Sequence, residues 1–279
     1  MADFSAHDGT RLAYHVFGDG DPVICLPGGP MRDSAYLGDL GGLSAHRRLV
    51  MFDLRGTGRS AVPEDPASCR CDRLVDDVEA LREHLGVDRV DLLAHCAGAS
   101  LAAQYAGRYP QHVGRLALIT PSAVGVGIDV PVDVRLATAR LRRDEPWFPG
   151  AYAALEEIVA GRAAGEHWGA VAPFFHGRYD AVAQALDAAD EEQKNGEAAA
   201  VYGADGAFAP DATRAALRRF ASPVLVLAGE FDVNSPPPAM AEYAGLFPHA
   251  ELVVQPGAGH QPWLDNAAQF VATAARFLR

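Results

Sequence analysis

No stretch of this 279-residue sequence approaches the ~18 consecutive apolar residues that a membrane-crossing helix needs, so no bilayer span is expected. A basic cluster is also missing. The 24 Lys and Arg are outnumbered by 36 Asp and Glu, leaving a net charge of −12 and nothing to displace counterions from phosphates. Nucleic acid is therefore excluded as a partner, and the acidity reads as solubility. Cysteine is scarce, with four residues, Cys25, Cys69, Cys71 and Cys96. Cys69 and Cys71 have no second pair and no histidine set nearby, which excludes a metal site of the zinc type. The opening Met1-Ala2-Asp3-Phe4-Ser5 lacks the basic and apolar regions of a secretory signal, so a cytoplasmic protein with reduced thiols is expected. What remains is a chain 49% hydrophobic, long enough for one sizeable α/β domain with an insertion.

The chain is organised around residues 90–105. Val90-Asp91-Leu92-Leu93-Ala94 reads as a buried strand, and Leu101-Ala102-Ala103-Gln104-Tyr105 as helix. Between them Cys96 stands among small residues. Strand, sharp turn and helix make a nucleophile elbow, whose reactive residue takes a strained backbone conformation. The turn needs small residues two positions either side, here Ala94 and Gly98. The usual G-x-S-x-G becomes A-x-C-x-G, with Cys96 in the nucleophile position. A structural cysteine at a strand end would look the same in isolation. The rest of the chain decides.

Residues 11–17 and 22–26 read as strands joined by the turn Gly18-Asp19-Gly20-Asp21. The second strand enters Pro27-Gly28-Gly29-Pro30, where glycine lets the backbone approach a ligand and aim an amide at it. Pro30 has no N–H, so Gly29 is the expected oxyanion donor, with Ala97 directly after Cys96 as the other. Residues 49–54 form another buried strand. The turn after it completes no dinucleotide fingerprint, and Asp53, Arg55 and Arg59 are expected to organise that loop. Leu74, Val78, Leu81 and Leu85 recur at helical spacing, and 116–120 is the next strand. Alternation lapses from about 123 to 221 and resumes with a strand at 224–229, a helix at 237–247, a strand at 251–254 and a helix at 266–278. The expected organisation is a core of 1–122 and 222–279 with a helical insertion, 123–221, lying as a lid over the strands' C-terminal edge, where open parallel sheets bind ligands. Five aromatics of the insertion, Trp147, Phe148, Trp168, Phe174 and Phe175, are expected to line an apolar pocket there.

Two further residues follow strand ends. Asp232 comes after the strand at 224–229, and His260 ends the glycine loop Gly257-Ala258-Gly259-His260. The order Cys96, Asp232, His260 is that of nucleophile, acid and histidine in a hydrolytic triad. His260 would take the thiol proton and return it to the leaving group, while Asp232 would hold the imidazole tautomer. Glu230 is the rival carboxylate, and Asp232 would also suit a helix cap before Pro236. The remaining histidines, His95 among them, read as packing or surface groups.

Gly28-Gly29-Pro30, the run from Asp53 to Ser60, the Cys96 elbow and the Asp232 and His260 loops together resemble the α/β-hydrolase superfamily along the whole chain. Within it, the sequence is similar to the proline-iminopeptidase-like group. The resemblance implies a mostly parallel eight-stranded sheet, a helical cap inserted after the sixth strand, and no cofactor. Two positions depart from that group. Pro27 replaces the usual histidine before the glycines, and Ala97 replaces the tryptophan of its aminopeptidases. Cysteine at position 96 departs further. A thiolate leaves a tetrahedral intermediate more readily than an amine does, so esters, lactones and thioesters suit it better than amides. The expected activity is hydrolysis or acyl transfer through Cys96, His260 and Asp232 on a small or medium hydrophobic carbonyl compound. Three alternatives stand beside it. One is an amidase or aminopeptidase that reads a substrate amine with Glu156, Glu157 or Glu166. Another is a serine hydrolase carrying a Ser→Cys exchange. The third is a ligand-binding protein without turnover, against which the intact triad order weighs. A small-molecule substrate is the expected partner, with no nucleic acid and no membrane, and no pattern in the sequence sets an oligomeric state.

Overall fold

The computed structural model describes residues 2–279. Eight strands form one sheet: β1 (Ala2–Ser5), β2 (Arg11–Phe17), β3 (Pro22–Leu26), β4 (Arg48–Asp53), β5 (Val90–His95), β6 (Val113–Ile119), β7 (Val224–Gly229) and β8 (Ala250–Gln255). Their order is β1-β2-β4-β3-β5-β6-β7-β8, with β3 to β8 mutually parallel and β1 and β2 antiparallel at one edge. β1 has no counterpart in the sequence pattern, because Asp3 and Ser5 interrupt it. Its pairing with β2, Phe4 opposite Leu12, holds it in place.

Helices α1 (Cys71–His84) and α2 (Gly98–Arg108) flank β5. Between β6 and β7 lie α3 (Val132–Ala139), α4 (Phe148–Val159), α5 (Gly165–Ala170), α6 (Ala181–Gln193), α7 (Gly196–Tyr202) and α8 (Pro210–Leu217). The chain closes with α9 (Pro237–Ala244), α10 (Pro262–Asp265) and α11 (Ala267–Phe277). No helix among the described residues is long and apolar enough to cross a membrane.

β5 and β7 are buried at every position because both faces of the sheet are covered, and apart from Asp91 and His95 of β5 they carry no polar side chain. Alternate side chains divide between two cores. Leu92, Ala94, Val226 and Ala228 pack with Leu74 and Leu81 of α1 and Leu101 of α2. Leu93, Leu225 and Leu227 pack with Phe270 and Ala274 of α11. Parallel strands end at a common edge, so the residues following β3, β5, β7 and β8 come from four distant stretches to one place.

Candidate active site

Cys96 stands at φ 51°, a left-handed conformation that costs a non-glycine residue about 1–3 kcal/mol. The elbow holds it there. Its N–H donates to Ile119 O at 3.2 Å, and its carbonyl accepts from Ala99 N at 3.1 Å and Ser122 N at 2.9 Å. The glycines around it are dictated by close approach. A Cβ on Gly98 would lie 2.5 Å from the Pro27 carbonyl, and one on Gly28 would lie 2.7 Å from the Cys96 Cβ. Cys96 itself remains partly exposed.

His260 Nδ1 lies 2.7 Å from Asp232 Oδ2, and Asp232 is fully buried. The other carboxylate oxygen accepts the N–H groups of Asn234 at 2.8 Å and Ser235 at 3.1 Å. With Nδ1 donating to Asp232, Nε2 is the ring nitrogen left for Cys96, a close electrostatic neighbour of His260. The main chain of His260 is pinned as well. Its N–H donates to Phe175 O at 2.8 Å, and its carbonyl accepts from Thr120 Oγ1 at 2.8 Å and His95 Nε2 at 2.9 Å. Glu230 binds the Gly257 N–H at 2.7 Å, fixing the loop and not the imidazole.

Burial opposes charge on both Cys96 and His260, and their neighbours overcome it. Burial lowers the His260 pKa, but Asp232 and Cys96 together hold it well above the ordinary imidazole value. Burial raises that of Cys96, but His260 and the Ala97 N–H bring it below the ordinary thiol value. The other thiols lack such neighbours. Burial pushes Cys25 and Cys69 up, and Cys71 to about 12.

The N–H groups of Gly29 and Ala97 have no oxygen acceptor among the described residues. Gly29 takes φ 116°, which favours glycine. The Gly28 carbonyl accepts from Arg32 N at 3.2 Å, which turns the Gly29 N–H of the same peptide the opposite way. Asp53 organises the next loop, accepting from the N–H and hydroxyl of Ser34 and the N–H of Arg59. Arg55 pairs with Asp77, while the Arg59 residue is exposed and contributes its backbone alone.

The five aromatics expected in a pocket separate sharply. Phe175 meets His260 edge-on at 6.0 Å between ring centroids. Phe174 is fully buried, with Trp147 at 5.1 Å and Phe148 at 6.0 Å, in an apolar cluster of the insertion that Val233 joins from the loop after β7. Trp168 is 60% exposed on α5. Of the five, Phe175 alone is in ring contact with the triad, while Trp147, Phe148 and Phe174 pack together and Trp168 lies on the surface. Phe174→Ala should cost about 3–5 kcal/mol and lower the Tm by on the order of 10 °C, with the rate on a minimal ester little changed. Thermal melts and initial rates on the folded variant check this.

The insertion also touches the Gly28-Gly29 loop and the elbow. Asp33 N donates to Gln193 O at 2.9 Å, Asn195 N to Met31 O at 3.0 Å, and Tyr202 Oη to Ala97 O at 2.7 Å. Arg32, buried, binds Asp190 at 2.7 Å. Glu156 and Glu166 are exposed and Glu157 pairs with Arg162, so none of the three joins the site. An open cleft lined by His7, Asp8, Arg55 and Asp77 includes no member of the triad. Sequence reading missed Tyr36 and the role of His95. A buried histidine in an aliphatic strand requires hydrogen-bond partners, and that requirement was the available signal.

Residues 21–267 match a family described as alpha/beta hydrolase fold. The chain is 26% identical over 289 residues to a proline iminopeptidase of Heyndrickxia coagulans, covering 97% of this chain and 96% of that protein. It superposes on a thermophilic esterase from Thermogutta terrifontis with a TM-score of 0.70 at 23% identity, covering 100% of this chain and 97% of the other. It also superposes on the enol-lactonase from Burkholderia xenovorans LB400 with a TM-score of 0.68 at 23% identity, covering 99% of both chains. At these identities the structural likeness speaks for the fold alone.

Proposed function

We propose that this chain, a hydrolase that belongs to the α/β-hydrolase family, acts by acyl transfer through a Cys96-His260-Asp232 triad on a small or medium hydrophobic ester, lactone or thioester. The observation that carries the reading is the Asp232–His260 hydrogen bond beside a Cys96 whose thiol His260 and the Ala97 N–H both favour as thiolate, at an elbow where the Gly29 and Ala97 amides have no oxygen acceptor. The Cys96 thiolate attacks the substrate carbonyl carbon, and the carbonyl oxygen becomes an oxyanion held by those two N–H groups. Collapse breaks the bond to the leaving oxygen or sulfur, which takes a proton from His260, and leaves a thioester on Cys96. His260 then removes a proton from water or an acceptor, whose attack on the thioester releases the acid or transfer product and restores the thiolate.

Residues 123–221 serve as a cap over the core of 1–122 and 222–279. The contacts of Gln193, Asn195, Tyr202 and Phe175 with the catalytic loops support this. Ala97, Pro27 and the outward placement of Glu156 and Glu166 weigh against recognition of a substrate amine. A panel of chromogenic acyl esters, followed by intact mass, should reveal an acyl adduct on Cys96. Iodoacetamide near neutral pH should label Cys96 well ahead of Cys25, Cys69 and Cys71, whose thiols burial holds protonated. Full esterase activity in Cys96→Ala would refute the assignment.

A further inference from the structure

The Gly28-Gly29 loop and the catalytic histidine are joined through two buried side chains that take no part in the reaction above. Tyr36 Oη accepts the Gly28 N–H at 2.7 Å and lies 2.6 Å from His95 Nδ1. His95 Nε2 lies 2.9 Å from the carbonyl oxygen of His260. A carbonyl only accepts, so Nε2 carries the proton and Nδ1 is the acceptor. The Tyr36 hydroxyl therefore donates to His95 and accepts from Gly28, and each proton along the path has one place to go. Both residues are buried, Tyr36 at 6% exposure and His95 at 3%. Burial and the neighbouring His260 keep His95 well below the ordinary imidazole pKa, as a neutral ring with one donor requires. Arg32 packs over the Tyr36 ring at 4.3 Å and holds that ring from the loop side.

We infer that Tyr36 is a positioning residue for the oxyanion hole, held in register with the catalytic histidine through His95. The inference rests on the reading of Gly29 and Ala97 as oxyanion donors. The Gly28 N–H anchored by Tyr36 and the Gly28 carbonyl anchored by Arg32 N fix the peptide planes on either side of Gly28, the second of which carries the Gly29 N–H. His260 has a second anchor in Thr120 Oγ1, whereas the Gly28 N–H has Tyr36 alone. Loss of the hydroxyl should therefore disturb the oxyanion loop more than the imidazole.

The test compares two reactions of Cys96 in the full chain. Acylation by an activated ester forms an oxyanion. Alkylation by iodoacetamide displaces iodide at a saturated carbon and forms none, so it reports the thiolate alone. Tyr36→Phe should slow burst-phase acylation about 10- to 100-fold, somewhat less than loss of a direct donor, and leave Cys96 alkylation within about twofold. His95→Leu should behave alike. His95→Asn, which keeps an acceptor for the Tyr36 hydroxyl, should recover about tenfold over His95→Leu. Acylation unchanged in Tyr36→Phe, or alkylation slowed in proportion to acylation, overturns the proposal. So does His95→Asn no better than His95→Leu. Absence of any acyl adduct on Cys96 in the unmodified chain overturns the underlying triad reading as well, which sets the two failures apart.

Discussion

Asp232→Asn is expected to lower kcat by about three to four orders of magnitude, while Glu230→Gln lowers it less than about tenfold. An asparagine amide can reach His260 Nδ1 with its N–H as readily as with its oxygen, which allows the wrong tautomer. It also removes the negative charge beside His260, so the imidazolium loses stabilisation and the His260 pKa falls. A less charged His260 supports the Cys96 thiolate less, and the Cys96 pKa rises. The pH profile of Cys96 alkylation should therefore move to higher pH in Asp232→Asn and stay in place in Glu230→Gln. The Glu230 contact with Gly257 predicts a modest loss from loosening of the loop. Steady-state rates and alkylation profiles of both variants decide the matter, and the reverse ranking would move the acid to Glu230.

Cys96→Ser carries the second large effect. A serine hydroxyl has no accessible anion and depends wholly on His260 as base. In the present site the His260 imidazolium is stabilised in part by Cys96, and a serine hydroxyl offers no such anion in the resting state, so its proton has to move to His260 during the attack itself. A loss on the order of 10²-fold or more in steady-state rate is expected, within the range that general-base catalysis contributes. The acylation burst should shrink as well. A serine form faster than the cysteine form would mean that the surroundings suit a hydroxyl nucleophile, with the fold and the triad positions unaffected. Burst amplitude and turnover on one activated ester distinguish the outcomes.

The central strands were legible because β5 and β7 are covered on both faces and are therefore mostly apolar. The elbow and the Gly28-Gly29 loop were legible because close approach leaves glycine little alternative, as the Cβ contacts at Gly28 and Gly98 show. β1 was not, since two of its four residues are polar and β2 supplies its order. Nor could the aromatics of the insertion be sorted. Phe174 and Phe175 are neighbours in sequence, yet one is enclosed by Trp147 and Phe148 and the other faces His260. Which of two adjacent rings points inward depends on a turn that no periodicity announces. Tyr36 and His95 meet across 59 positions of chain, a contact that local pattern does not encode.

His260 follows β8, an outermost strand in which only Gln255 is fully buried. Edge strands are where a sheet frays first, with opening free energies far below that of the whole domain. Were the histidine held by β8 alone, each such opening would carry the base away from Cys96. It is instead tethered by Thr120 after β6, by His95 at the end of the fully buried β5, and by Phe175 of the insertion. Fluctuations of the sheet margin are thereby expected to leave the proposed base His260 in place, since its tethers lie on β5, after β6 and in the insertion.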